Sequence, residues 1–316
     1  MRTLTLLAAA LVSLPLLAQP YPVKPVRIIV PFAPGGGSDF IARFTAQRLT
    51  GSLGKQVVVE NRPGAGGLLG IEAGVRADPD GYTLILIASS YTVNPALYKL
   101  KFDPLADITP VVQVSQGPML VVVNPKLPVN SVQDLVALAR ARPGQISFAS
   151  AGQGSITHMA AEFFSSLAGL RMNHIPYKGT GPALTDTIGG QTDMLFSSTA
   201  TALPHVKSGR LRAIAVTTAK RLAAEPNVPT LAESGIAGYD VPLWHGLIGP
   251  KGLPRPVVER INAEVGRILK LRETADQLQT DGVSPAGGTP EEFRERIQKE
   301  IALWRKVVAT TGVKVE

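Results

Sequence analysis

Apolar runs of strand length alternate along this chain with amphipathic stretches of helical spacing. Val26–Phe32 reads as a strand and Phe40–Leu49 as a helix with Phe40, Ile41 and Phe44 on one face, Ser38 or Asp39 being available as N-cap. Gln56–Glu60 gives a second strand, Leu68–Arg76 a helix and Tyr82–Ala88 a third strand, introduced by the turn signal Asp78-Pro-Asp-Gly81. Strand, helix, strand, helix, strand at this spacing predicts a doubly wound parallel sheet. The pattern restarts at Ile108, with Val111–Val114, Met119–Val123 and Ile146–Ala149 as strands and Val132–Arg140 and His158–Leu167 as helices. Asp186–Gly190, Asp193–Ser197 and Leu211–Thr217 continue the alternation, and a second α/β lobe over 109–235 is the simplest account. Past a Pro-rich segment at 227–235, a strand at Trp244–Gly249 leads into two long helices. The first carries Val258, Ile261, Val265 and Leu269 on one face. The second opens with the capping box Thr289-Pro-Glu-Glu292 and carries Phe293, Ile297, Ile301, Trp304 and Val308. These helices return the chain to the first lobe, which is then 22–108 plus 236–316.

Two strand-to-helix joints are rich in glycine: Pro31-Phe-Ala-Pro-Gly-Gly-Gly-Ser-Asp39 and Ser150-Ala-Gly-Gln-Gly-Ser155. A helix that starts at such a joint leaves its first N–H groups without intrahelical partners, and its macrodipole adds partial positive charge, so each joint is either an anion loop or only a tight turn. Two of them, each with hydroxyl or carboxylate residues at the helix start, favour the anion loop. Neither is a nucleotide fingerprint: Gly152-Gln-Gly154 lacks the third glycine of the dinucleotide pattern, and Gly54-Lys55 is followed by Gln56 rather than by a P-loop hydroxyl. Gly36-Gly-Ser38-Asp-Phe40 ends in phenylalanine where a nucleophile elbow needs glycine.

With 316 residues, 45% of them hydrophobic, the chain is long enough for two lobes. Its start, Met1-Arg-Thr followed by an apolar run to Ala18, reads as a secretory signal peptide cut after Ala18, an uncleaved anchor being the alternative. The apolar run is short for a membrane span and no later stretch is continuous enough, so an exported, periplasmic protein without membrane insertion is expected. The net charge is +8, the leader contributing only Arg2. Scattered cations and only 5% aromatics argue against nucleic acid. Cysteine is absent, which removes disulfides and thiol chemistry. His158 and Glu162 share a helix face, but no further ligand spacing accompanies them, so no metal and no cofactor is expected. His158 is placed either to donate to a bound anion or to cap its own turn. Lys178, in Tyr177-Lys-Gly179, is either a counter-charge for a carboxylate or a solvated lysine. Asp39 suits a cap and dipole partner, and as an anion it fits a ligand carboxylate only through a bridging water or a ligand amine.

These segments, with Val59-Glu-Asn-Arg-Pro-Gly-Ala-Gly-Gly67, Ala77-Asp-Pro-Asp-Gly-Tyr82, Asn94-Pro-Ala-Leu-Tyr98, Val228-Pro-Thr-Leu-Ala-Glu-Ser-Gly235 and Trp244-His-Gly246, run in order along nearly the whole mature chain. Together they resemble the Bug-type periplasmic receptors of tripartite tricarboxylate transporters. The resemblance implies a two-lobed α/β fold like that of periplasmic binding proteins, a type II Venus flytrap in which each lobe is a doubly wound, mainly parallel sheet. It also implies a ligand site made of Phe32, Pro34, Gly35, Gly36, Gly37, Ser38 and Asp39 from one lobe and Ser150, Ala151, Gly152, Gly154 and Ser155, with His158 nearby, from the other, to which the reading of Lys178 as a counter-charge adds that residue. A monomer that captures a small organic carboxylate and delivers it to membrane transporter subunits is the function expected. A sensory module for a signalling partner and a secreted hydrolase on the same scaffold are the alternatives.

Overall fold

The structure, a computed structural model, describes residues 21–311; the expected leader, 1–18, lies outside them. The first elements are β1 (Val26–Val30), α1 (Gly37–Leu53), β2 (Val57–Asn61), α2 (Leu68–Val75), β3 (Thr83–Ala88), α3 (Ser90–Leu97) and β4 (Ile108–Gly117). Next come β5 (Met119–Val123), α4 (Val132–Ala141), β6 (Ser147–Ser150), α5 (Ile156–Ala168), β7 (Asn173–Pro176), α6 (Thr180–Gly189), β8 (Met194–Ser198), α7 (Thr199–Lys207) and β9 (Arg212–Val216). The chain closes with β10 (Leu243–Pro250), α8 (Arg255–Lys270), α9 (Arg272–Thr280), β11 (Ser284–Gly287) and α10 (Pro290–Thr311). One sheet has six strands in the order β11-β4-β10-β3-β1-β2 and the other five in the order β7-β6-β8-β5-β9, each flanked by helices, so the molecule is a two-lobed α/β protein.

All six residues of β3 and all five of β5 are buried, which is why both read as unbroken apolar runs rather than alternating ones. The sheets are mixed, not mainly parallel. β1, β2 and β3 run parallel to one another, and so do β6, β7 and β8, whereas β10 runs against β3 and β4, and β5 against β8 and β9. The reversal follows from the connections. β1, β3, β6 and β8 end where the lobes meet, while β5 and β10 each begin there, having just crossed from the other lobe. Thr217 ties the crossings together: its N–H donates to Met119 O at 3.0 Å, its Oγ1 accepts from Met119 N at 2.9 Å, and its carbonyl accepts from Val241 N at 2.8 Å.

β4 pairs with β10 and β11 in the six-stranded sheet, although the sequence pattern groups Val111–Val114 with the second lobe. The change of sheet falls after Gly117, and only Pro118 separates β4 from β5. α3 and α7 escape the periodicity because they are rich in hydroxyls and carry Pro95 and Pro204 in their interiors. α1 begins at Gly37 with Gly36 as N-cap, a turn earlier than its apolar face suggests. The capping box is present: Thr289 Oγ1 accepts from Glu292 N at 3.1 Å, and the Glu292 carboxylate accepts from Thr289 N at 2.8 Å.

α10 straps the lobes together. Phe293, Ile297 and Ile301 pack with Ile85, Ile87, Tyr91 and Trp244, while Trp304 enters a cluster containing Phe148 and Phe164. Between them Glu300 accepts from Trp244 Nε1 at 2.7 Å and from Thr92 Oγ1 at 3.2 Å.

His245 on β10 is buried, its Nδ1 3.2 Å from Ser115 Oγ, and burial pushes the imidazole from its ordinary 6.5 down to about 3. The unfolded ring takes up a proton below its ordinary value and the folded one resists until about 3, so this stabilisation is complete above 6.5 and is lost as pH falls towards 3. The expected outcome is a melting temperature that declines between pH 7 and pH 4. His245→Gln should make that decline shallower by about one proton, roughly 1.4 kcal/mol per pH unit. Calorimetry across this range checks it, and an unaltered slope would exclude His245 as a source of acid lability.

Candidate functional site

Several helices point their N-termini at the place where the sheets' strand ends meet. A cavity of about 20 Å³ lies there, lined by Gly37 and Ser38 of α1, Ser90 of α3, Ile156 and Thr157 of α5, Thr180 of α6 and Ser198, the N-cap of α7. Phe32, Ala88, Ala151, Leu243 and His245 complete the lining. Four of these helices, α1, α3, α6 and α7, start without a side-chain cap, so their first N–H groups are not consumed by one. Each N-terminus contributes about half a positive charge, and the burial of every lining residue but Thr180 leaves that field poorly screened. No formally charged side chain lines the cavity, and burial keeps His245 without a proton at neutral pH. The result is a small hydroxyl-rich space that favours an anion through dipoles alone.

The two glycine loops face each other across this cavity. Ala33 N donates to Lys178 O at 2.8 Å, Ile156 N to Ser90 Oγ at 2.9 Å and Tyr98 Oη to Gln153 O at 2.9 Å, each bond joining one lobe to the other. Glycines permit the approach. A Cβ on Gly37 would stand 2.5 Å from Ser198 Cβ, one on Gly181 would overlap the Pro34 carbonyl oxygen, and one on Gly66 would overlap that of Gln153. Outside the inner cavity a wider opening of about 740 Å³ is lined by Ala33, Gly64–Gly66 and Tyr98 from one side and by Ala151–Gln153, Pro176–Lys178 and Pro182 from the other. Ala151 borders both spaces.

The sequence-predicted residues divide by position. Phe32, Gly37, Ser38 and Ala151 line the inner cavity, and Gly152 and Lys178 the outer opening, where the Lys178 residue is exposed. Pro34, Gly35 and Gly36 abut α6 through Thr180 and Gly181, forming the lobe contact rather than the cavity wall. Asp39 turns away from the cavity. Its carboxylate accepts from Gly35 N at 3.1 Å, Asn61 Nδ2 at 3.0 Å and Arg43 Nε at 3.0 Å. Burial pushes this carboxyl up, but the hydrogen bonds from Arg43, Gly35 and Asn61 outweigh it and hold the group below its ordinary value.

In the second loop the N–H groups of Ala151, Gly152, Gly154 and Ser155 are spent within the protein, on Thr157 Oγ1, Ser150 Oγ, His158 Nδ1 and Gly152 O. Ser155 caps α5 by accepting from His158 N at 3.3 Å. His158 therefore stands behind the loop, accepting from it, and its Nε2 lies 3.6 Å from Glu162. Among the described residues no three metal-ligating side chains gather. None of the described helices is long and apolar enough to cross a membrane.

Ser90, Thr157, Thr180, Ser198 and His245 were not singled out as site residues from sequence. His245 lies within the quoted Trp244-His-Gly246, and Tyr98 and Gly64–Gly66 within other quoted segments, so a signal existed for these. Ser90, Thr180 and Ser198 are hydroxyl residues at helix starts, and nothing local distinguishes them from ordinary caps.

Comparison with known proteins agrees with this two-lobed fold. The family model described as tripartite tricarboxylate transporter family receptor matches residues 41–313. Protein BugT of Bordetella pertussis is 37% identical over 313 residues, covering 98% of this chain and 96% of its own length. The solved structure of periplasmic binding protein BugD superimposes with a TM-score of 0.91 at 33% identity, covering 94% of this chain and all (100%) of BugD. R. palustris Rpa4515, solved with adipate, superimposes with a TM-score of 0.90 at 33% identity, covering 93% of this chain and 99% of its own. A chain matched over nearly its whole length by sequence and by fold belongs to the tripartite tricarboxylate transporter receptor family.

Proposed function

We propose that this protein is an exported, periplasmic receptor that captures a small organic carboxylate between its lobes and presents the closed complex to membrane transporter subunits. The observation that carries the reading is the convergence of uncapped helix N-termini from both lobes on one cavity free of formal charge. One carboxylate oxygen fills a space of about 20 Å³, where N–H groups of α1, α6 and α7 and the hydroxyls of Ser38, Ser90, Thr180 and Ser198 donate to it. Each charge-assisted hydrogen bond contributes about 1.5–3 kcal/mol, and a few of them, less the cost of ordering the lobes, reach the roughly 8 kcal/mol of a micromolar complex. Access to so small a space requires the lobes to part, and the contacts made only when shut drive closure.

The glycine loops then have different duties. The first supplies donors from Gly37 and Ser38, while the second, its N–H groups engaged internally, supplies shape. The rest of the ligand occupies the outer opening, where Lys178 faces a second acidic group. The adipate bound by Rpa4515 is a dicarboxylate of this kind.

A hydrolase needs a nucleophile with a base in reach, and Ser150 Oγ does lie 2.6 Å from His174 Nε2. Ser150 is fully buried, however, and its Oγ accepts from Gly152 N. Burial, with His158 as the lesser cause, pushes His174 down to about 3, far below a working base at neutral pH. The pair is part of the scaffold.

Two outcomes test the reading by calorimetric titration. Gly181→Ala sits at the start of α6, where alanine is the better helix former, so the lobe keeps its stability while its Cβ obstructs Pro34 across the cleft. Carboxylate affinity should fall at least about tenfold, the worth of one lost hydrogen bond, and unaltered affinity would show that closure to backbone contact is not needed. Adipate should bind more tightly than hexanoate, its six-carbon monoacid counterpart, and Lys178→Met should weaken adipate by about tenfold while sparing hexanoate. Failure of every acid in a panel of adipate, malate, citrate and hexanoate would sink the receptor reading itself.

A further inference from the structure

Behind the second glycine loop lies a stack of rings that the carboxylate reading leaves unused. His174 of β7 and His158 of α5 stack with centroids 3.9 Å apart and planes 19° from parallel, and Phe148 of β6 stacks on His174 at 4.9 Å. Each histidine reaches the loop with one ring nitrogen. His158 Nδ1 accepts from Gly154 N at 3.2 Å, and His174 Nε2 lies 2.6 Å from Ser150 Oγ, which in turn accepts from Gly152 N at 3.1 Å. The acceptor role of Nδ1 puts the His158 proton on Nε2, the nitrogen facing Glu162.

We propose that His158 and His174 are positioning residues for the ligand cleft, a stacked pair that fixes the loop from Ser150 to Gly154 in the one shape that lets the opposite lobe close on it. The loop needs such a device. Gly152 at φ +125° and Gly154 at φ +73° are glycines, the residue type with the freest backbone, and alone they would sample many conformations. The closed lobes tolerate little variation, because Gln153 O must meet Tyr98 Oη and pass Gly66 with no room for a side chain. Rings suit this work better than flexible amides: the stack holds both imidazoles in register with β6 and β7, where Phe148 pairs with His174, so their nitrogens sit at fixed points along the loop. The burial that keeps His174 unprotonated also keeps its contact with Ser150 in one form at neutral pH.

This role depends on the carboxylate reading only for what the loop serves, so its test has a readout that needs no ligand. Amide hydrogen exchange at Gly152 and Gly154 is measured in the full protein and in His158→Phe, His158→Gln and His174→Phe. Phenylalanine keeps the stack and removes the nitrogen, whereas glutamine restores an acceptor for Gly154. Gly154 should exchange about tenfold faster in His158→Phe and return towards the wild-type rate in His158→Gln, and Gly152 should exchange faster in His174→Phe, with amides in the middle of α5 unaffected. Rates within about twofold of wild type in both phenylalanine variants, or a glutamine variant as fast as the phenylalanine one, would overturn the positioning role. Adipate titration of the unaltered protein judges the receptor reading separately; where adipate binds, both phenylalanine variants should weaken it.

Discussion

Everything the cleft does depends on two backbones meeting with no side chain between them. The field of a helix N-terminus fades within its first turn, so dipoles from opposite lobes act on one oxygen atom only if the lobes approach to van der Waals contact. Gly181 against Pro34 and Gly66 against Gln153 mark where main chain meets main chain, Gly37 lies against the Ser198 side chain, and at each a methyl group would hold the lobes apart. These three glycines are therefore a property of the closed form as much as of the local turns. The hydrogen bond from Ala33 N to Lys178 O is the direct product, a main-chain bond across a cleft that strands usually reserve for sheets.

The chemistry of the site follows from the same constraint. With hydroxyls, apolar side chains and an uncharged His245 around it, the inner cavity on the proposed reading attracts an anion without a fixed cation to hold it permanently. Where charges do occur nearby they are neutralised elsewhere: Asp39 faces Arg43 and Asn61, and His245 is kept without its proton by burial. A guanidinium in the cavity would bind more strongly and release more slowly. A receptor that must surrender its ligand is better served by several moderate donors whose geometry is correct only when the lobes are shut.

The sequence makes the parts of this arrangement visible and hides their assembly. Strands β1, β3 and β5 are plain as apolar runs, and the glycine loops are plain because glycine and hydroxyls follow such a run. The mixed sheets are not visible, since whether β4 lies beside β10 or beside β5 is decided by pairing between residues more than a hundred positions apart. Ser198 and Thr180 enter the site only because their helices start at the cleft, information held by no local pattern. The Ser150–His174 contact likewise depends on β6 and β7 being neighbours in register. What a sequence pattern does poorly here is distinguish a residue that lines the cavity from one that supports it: Asp39 and His158 stand at the same strand-to-helix joints as Ser38 and Ala151 and face the other way.

The last constraint concerns how such a cleft opens. α10 is anchored on one side by Glu300, which holds Trp244 and Thr92, and on the other by Trp304 in the cluster around Phe148. α3 crosses in the same way, its Val93 and Leu97 packing with that second cluster while Ser90 reaches the cavity. Separating these apolar contacts would expose several large side chains, at about 25 cal/mol for each square ångström uncovered. The contacts at the mouth are instead a few main-chain hydrogen bonds and glycine surfaces, whose partners water replaces at little net cost. On the receptor reading proposed above, opening proceeds from the mouth, with the strap and the bonds around Thr217 kept as the pivot. On that same reading the loops that meet the ligand travel furthest, and their shape has to be fixed within each lobe before the lobes meet.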